Sequence, residues 1–286
     1  MTDTGAEAVG RLDPRNRLND LTGREWLYFL QSVQATTYPM RGPTACGHNL
    51  RRAHPAPKPP YLMAEIIRFF TKVGGGVLDP FAGVGGTLLG CALTGRQGVG
   101  VELSPAYLAI YEQVCAQEGL AVQPTVCADA RRLGALAALH GRVFDLILTD
   151  PPYGDMLARP QAGEKKKRTG SATPTPFSRD PADLGNLPYA EFVSALGGIL
   201  AGAVAFVKPG GYLVVFAKDL QPTAAHHNML HADLAAALPA AIPGLRFRGY
   251  KIWVDRTVRL YPFGYPFQFV ANQLHQYILV FQIAAP

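Results

Sequence analysis

From Gly74 onward, short β-rich runs alternate with longer helical patterns, and this rhythm limits the chain to very few architectures. The runs are "GGVLDPF", "QGVGVEL", "VQPTVCAD", "FDLILTD" and "GYLVVFA", with "TLLGCALTG", "PAYLAIYEQVCAQEG" and "YAEFVSALGGILAGAVAFV" between them. Strands that alternate with helices of this length predict a doubly wound, mainly parallel sheet covered by helices on both faces. "MLHADLAAALPAA" continues the pattern, but the last two strand candidates, "RGYKIWVD" and "QYILVFQI", have no helix between them. An antiparallel strand at the C-terminal end of the sheet is therefore expected.

Two segments break the rhythm. Residues 36–60 are Pro-rich and basic, predicting an extended arm ahead of the helix "YLMAEIIRFFTKV". Residues 156–188 include "EKKKRTGSATPTPFSRDP", and a loop this long inside a compact domain is usually functional or disordered. The expected division is an N-terminal segment and basic arm over 1–60 and a main domain over 61–286, with 156–188 as its long loop.

Composition narrows the function. A 48% hydrophobic content is enough for a substantial core, and a net charge of +6 makes a polyanionic partner plausible. Four widely spaced cysteines without a C-x-x-C pair argue against a zinc site and for reduced, mostly buried thiols. No apolar run reaches the ~18 residues of a membrane span, and the N-terminus lacks a signal core, so a cytoplasmic protein without a membrane partner is expected.

The chemistry sits at strand ends. In "VLDPFAGVGGT" an apolar strand closes on Asp79, and Gly83, Gly85 and Gly86 precede a helix, the arrangement that lets backbone approach a ligand closely. Alone, such a turn is as easily structural. The following strand, "QGVGVELSP", ends in Glu102, about 20 residues on, where an acid accepts hydrogen bonds from ribose hydroxyls. Asp129 closes the third strand and is the weakest of the three acids, since Asp is common in turns. The turn lacks the third glycine of G-x-G-x-x-G, which counts against NAD, and no phosphate-binding G-x-x-x-x-G-K-[ST] is present. In "TDPPYGD", Pro151 and Pro152 end the strand and leave Asp150 and Tyr153 at its carboxyl end, where open α/β sheets bind ligands.

Taken together, "DPFAGVGGT", "VGVELSP" and "TDPPYGD" resemble the S-adenosylmethionine-dependent amino-methyltransferases that modify exocyclic amines of adenine or cytosine in DNA. The resemblance covers roughly residues 48–152 and extends to the aromatic closing segment. It implies a Rossmann-like methyltransferase sheet, S-adenosyl-L-methionine as cofactor, and a cofactor shell of Asp79, Pro80, Phe81, Gly83, Gly85, Thr87, Glu102 and Asp129. The upstream "HPAPKPPYLMAEIIRFFTKVGGG" adds His54, Lys58 and Pro59. The catalytic residues it implies are Asp150, Pro151, Pro152 and Tyr153. The Asp150 carboxylate and the Pro151 carbonyl would accept the two N–H groups of the target amine, and Tyr153 would stack on the base. No metal is called for. Double-stranded DNA with the target base flipped out is the implied substrate, with a modest lean to adenine and a cognate restriction endonuclease as a possible partner. The alternatives are a tRNA guanine-N2 methyltransferase, whose D-P-P-Y-G turn is similar, and an inactive cofactor- or DNA-binding module, against which the intact motif argues.

Three basic clusters suit phosphate contacts: Arg41, Arg51, Arg52 and Lys58; Lys165, Lys166, Lys167 and Arg168; and Arg246, Arg248, Lys251, Arg256 and Arg259. In "YPFGYPFQF", the aromatics at 261, 263, 265, 267 and 269 alternate. That predicts a strand face packed mostly against the core, with Pro262 and Pro266 marking an edge or irregular segment where one or two rings could cradle a flipped base.

Overall fold

The structure is a computed structural model and describes residues 11–157, 177–222 and 227–285. In chain order it contains α1 (Gly23–Phe29), β1 (Val33–Thr36), α2 (His48–Arg51), α3 (Pro60–Phe70), β2 (Gly76–Asp79), α4 (Gly86–Thr94), β3 (Gln97–Glu102), α5 (Pro105–Glu118), β4 (Thr125–Cys127) and β5 (Phe144–Thr149). The second half adds α6 (Tyr189–Val204), β6 (Val207–Ala217), α7 (Leu230–Ala241), β7 (Leu245–Asp255) and β8 (His275–Ile283). The strands form one eight-stranded sheet in the order β1-β7-β8-β6-β5-β2-β3-β4. All neighbouring pairs are parallel except those of β8, which runs antiparallel to both β6 and β7. The expected doubly wound sheet with an antiparallel C-terminal strand is what forms.

Helices cover both faces because the central strands are apolar on both sides. Leu146 and Leu148 of β5 join Val214 and Phe216 of β6 beneath α3, while Ile147, Leu213 and Val215 face α6 and α7. Helix α3 opens with Pro60 at its first position, which suits a site whose N–H would have no helical partner. Leu62, Met63, Ile66, Ile67 and Phe70 then recur at helical spacing and are all buried.

The N-terminal segment is part of this body. Leu21 is buried in the cluster that includes Phe69 and Phe70, and β1 pairs in parallel with β7. The described residues ahead of position 60 thus share the core and the sheet of those that follow. Within 36–60 the expected extended arm is interrupted by a 3-10 turn at Pro43–Ala45 and by α2, which packs on α5 so closely that a Cβ on Gly47 would lie 2.6 Å from Val114. Among the four cysteines, Cys46, Cys91 and Cys115 are buried and Cys127 is exposed. No helix among the described residues is long and apolar enough to cross a membrane.

The aromatic segment is irregular, as its prolines predict, but its rings do not pack against the core as expected. Residues 261–269 are not a strand, and Tyr265, Phe267 and Phe269 are 79%, 91% and 94% exposed. Pro262 and Pro266 have no N–H for a ladder, and Gly264, at φ 78°, reverses the chain so that Phe267 N–H donates to the Gly264 carbonyl at 2.7 Å. A period of two buries a face only where a neighbouring strand is present to pair.

Candidate active site

Strands β2 and β5 are neighbours, yet the chain leaves β2 toward β3 and β4 and leaves β5 toward β6. Their carboxyl ends thus flank the point where the winding reverses, the usual crevice for ligands in such sheets. Asp79 ties this point together. Its carboxylate accepts hydrogen bonds from the Thr87 hydroxyl of α4 (2.6 Å), the Thr149 hydroxyl of β5 (2.7 Å) and the Phe81 N–H (3.0 Å). Burial pushes its pKa up to about 6, against the pull of those three donors. One side chain therefore fixes the Gly-rich turn to the catalytic strand.

Glu102 closes β3 beside the turn. One carboxylate oxygen accepts from Gly83 N–H and the other from Ser104 N–H, both at 2.8 Å, while burial raises its pKa. A carboxylate has about four acceptor sites, so two remain for a diol. The turn reaches α4 through Gly85, at φ 79°, where a Cβ would lie 2.1 Å from the Tyr111 ring. Only glycine satisfies both the conformation and the contact.

A cavity of about 250 Å³ opens at this edge. Its wall includes every expected cofactor residue except Gly85 and Pro59, together with Asp150 and Pro152; Pro151 and Tyr153 stand outside it. Part of the wall is a strap, residues 177–184, at the close of the long loop expected over 156–188. Tyr107 hydroxyl donates to the Phe177 carbonyl (3.1 Å), Arg131 Nη1 donates to the Ala182 carbonyl (2.7 Å), and Asp183 accepts from Ser178 Oγ and Gly185 N–H (both 2.7 Å). The local sign of this strap in the sequence is Asp183, an Asx-type cap two residues before a glycine. His54 lies between, with ring centres 4.7 Å from Tyr107 and 5.0 Å from Phe177. Burial, with Lys58 and Arg51 adding to it, pushes its pKa down to about 3, so it contributes a neutral ring. Asp129 lines the cavity but is paired with the Arg131 guanidinium at 3.2 Å and caps the following 3-10 turn.

At the catalytic turn, both Asp150 oxygens are engaged. Lys58 Nζ pairs with one, and the Tyr153 hydroxyl donates to the other. The Tyr153 ring is only 6% exposed and lies in the core cluster with Phe192. It braces the carboxylate from below, which differs from the expected stacking on a base. Arg51 is 1% exposed, and its guanidinium donates to the Lys58 carbonyl. Desolvation pushes its pKa down to about 10.

These burials redraw the basic clusters. Arg51 and Lys58 hold the site together and are not surface cations. Lys251 is buried too, donating to the Phe29 carbonyl and lying 4.2 Å above the Phe29 ring. Arg246 and Arg248 are exposed at the amino end of β7, away from Asp150, whereas Arg256 and Arg259 are exposed beyond its carboxyl end. Lys165–Arg168 lie outside the described residues.

The cavity fits a nucleoside-bearing sulfonium. Glu102 offers acceptors to a ribose diol, the glycine turn allows close approach, and Phe81, Leu103, Phe177 and Leu184 supply apolar walls for a flat ring.

Residues 19–113 match the model of the family described as DNA methylase, of N6/N4 type. The chain is 34% identical over 97 residues to the tRNA (guanine(10)-N2)-dimethyltransferase of Methanothermobacter thermautotrophicus, covering 34% of this chain and 27% of that protein. It is 42% identical over 57 residues to the type II methyltransferase M2.DpnII of Streptococcus pneumoniae, covering 20% and 21%. The chain thus spans about a quarter of the length of these relatives. Among solved structures, TrmN from Thermus thermophilus is similar over 86% of this chain and 51% of its own, at 19% identity and a TM-score of 0.43. With its motifs, its sheet order and the matched segment, the chain is a Rossmann-like, S-adenosylmethionine-dependent protein whose residues 19–113 are similar to the DNA methylase family.

Proposed function

We propose that the protein methylates the exocyclic amine of a base flipped out of duplex DNA, adenine N6 or cytosine N4, with adenine favoured. The observation that carries this reading is the Asp150 carboxylate. It stands in the cavity wall at the carboxyl end of β5, held by Lys58 on one oxygen and Tyr153 on the other. An exocyclic amine is a poor nucleophile because its lone pair is delocalised into the ring. Acceptors on both N–H bonds favour a pyramidal nitrogen; Asp150 supplies one from the cavity wall, and the Pro151 carbonyl, outside that wall, is assigned the other once the base is bound. Lys58 and Tyr153 fix the carboxylate's rotamer, so little reorganisation remains when the amine arrives. S-adenosylmethionine, when bound, supplies the electrophilic methyl group. His54 and the 177–184 strap wall that cavity on one side. The matched DNA methylase family supports DNA as substrate.

A second reading, methylation of guanine N2 in tRNA, is favoured by the 34% identity to a tRNA dimethyltransferase. One experiment separates them. Purified protein is incubated with labelled S-adenosylmethionine and either unmethylated plasmid or bulk tRNA, and the nucleosides are analysed. The expected product is N6-methyladenine or N4-methylcytosine in plasmid, and Asp150→Ala lowers the rate on the order of 10²–10³-fold while S-adenosylhomocysteine affinity is retained. Label found only in tRNA guanine sinks the DNA reading.

A further inference from the structure

Strand β8 is antiparallel to both β6 and β7, so β7 runs in the same direction as β5 and β6. The loop that follows β7, residues 256–274, therefore leaves the sheet at the same edge as Asp150. Asp255 and Thr257, at the root of the loop, line one groove with Lys58, whose ammonium pairs with Asp150, so the loop starts near the catalytic turn.

The loop is built and braced. Tyr261 N–H donates to Asn272 Oδ1 at 2.9 Å, and Asn272 Nδ2 returns a bond to the Tyr261 carbonyl at 2.7 Å, closing the base of the loop. Gln221, from the segment after β6, donates to the Ala271 carbonyl. On this scaffold Tyr265, Phe267 and Phe269 project into solvent, although a braced loop has no need of three exposed rings for its own stability. Residues 256–274 contain no Asp or Glu, and Arg256 and Arg259 are exposed at the start of the loop. Rings on a cationic, acid-free loop suit a partner with flat apolar faces and an anionic backbone.

The geometry points to residues 263–269 as an aromatic wedge that enters duplex DNA beside the target base and fills the space that base leaves. This rests on the reading of the protein as a base-flipping DNA methyltransferase. Apolar side chains that enter a base step unstack it, and an enzyme that extrudes a nucleotide has to hold the gap open while the base is in its pocket. Phe267 and Phe269, the most exposed of the rings, are the intercalating pair.

Sequencing of plasmid DNA methylated by the wild-type protein identifies the modified base. Two synthetic duplexes are then made, one with that base paired and one with it facing an abasic position, where flipping needs no wedge. The Phe267→Ala/Phe269→Ala variant should lose roughly tenfold to a hundredfold in methylation rate on the paired duplex. On the abasic duplex it should come within about threefold of wild type, with S-adenosylhomocysteine affinity unchanged. No loss on the paired duplex, or an equal loss on both, overturns the wedge. So does a wild-type dimer in sedimentation that the variant abolishes, since that would give the rings to a second copy. A wild-type protein that modifies no plasmid at all overturns the underlying DNA reading instead.

Discussion

At the scale of single residues, the site is organised by carboxylates whose partners define their work. Asp79 spends its acceptors on two hydroxyls and a backbone N–H of its own fold, so its role is to join β2, α4 and β5. Glu102 keeps free acceptor sites at the cavity wall. Glu102→Ala should therefore weaken S-adenosylmethionine binding by about 1–3 kcal/mol through lost charge-assisted hydrogen bonds. Calorimetry reads this directly, and an unchanged affinity would remove Glu102 from the ribose. The motif residues were legible because each sits where a strand stops. Pro151 and Pro152 end β5, and the acid before them is left at its tip. The clamp on Asp150 was not legible, since Lys58 and Asp150 are 92 residues apart and nothing local in either sequence names the other. Nor does D-P-P-Y reveal that its tyrosine turns inward, because that depends on the space under the sheet that Phe192 helps to fill.

At the scale of elements, the Gly-rich turn shows how a backbone requirement and a packing requirement coincide. Gly85 precedes α4 at φ 79°, and a Cβ there would overlap Tyr111, which is fully buried on α5. Gly119 caps α5 at φ 64° with open space around it. Gly119→Ala should cost only the left-handed strain, about 1–2 kcal/mol, whereas Gly85→Ala should cost on the order of 2–4 kcal/mol by adding the clash. Urea midpoints of the two variants make the comparison; equal losses would mean that Tyr111 gives way freely. The central strands were readable because a strand buried on both faces is a continuous apolar run. Strand β1 was not: "VQAT" is four residues with little apolar content, and it becomes a strand only because β7 offers it a partner. The aromatic segment erred in the opposite direction, with the right periodicity and no partner.

At the scale of the whole molecule, the net charge of +6 is unevenly useful. Arg256 and Arg259 share an edge with Asp150, while Arg246 and Arg248 lie at the far end of β7. If DNA lies across the catalytic edge, Arg256→Ala/Arg259→Ala should reduce the slope of log affinity against log salt by about 0.9 per lost phosphate contact. Arg246→Ala/Arg248→Ala should leave that slope unchanged. Titration of a duplex at several salt concentrations measures both, and equal effects would mean that binding follows net charge and not the position of the edge. Replacing Lys165, Lys166, Lys167 and Arg168 by Ala tests the remaining cluster in the same titration.

The far arginines have another consequence. Strand β1 pairs with β7 only from Ile252 to Asp255, so Arg246–Tyr250 have no strand partner on that side among the described residues. A bare rim of that length is a template on which a stray strand, from a neighbour or a nascent chain, can zip up. Here the template is spoiled twice. Arg248 is the extra residue of a bulge between Phe247 and Gly249 that breaks the even spacing of the rim's hydrogen-bonding groups, and Arg246 places a second charge just before it. The positive charge that reads in the sequence as a phosphate clamp serves, at this end of β7, as the reason the sheet stops growing.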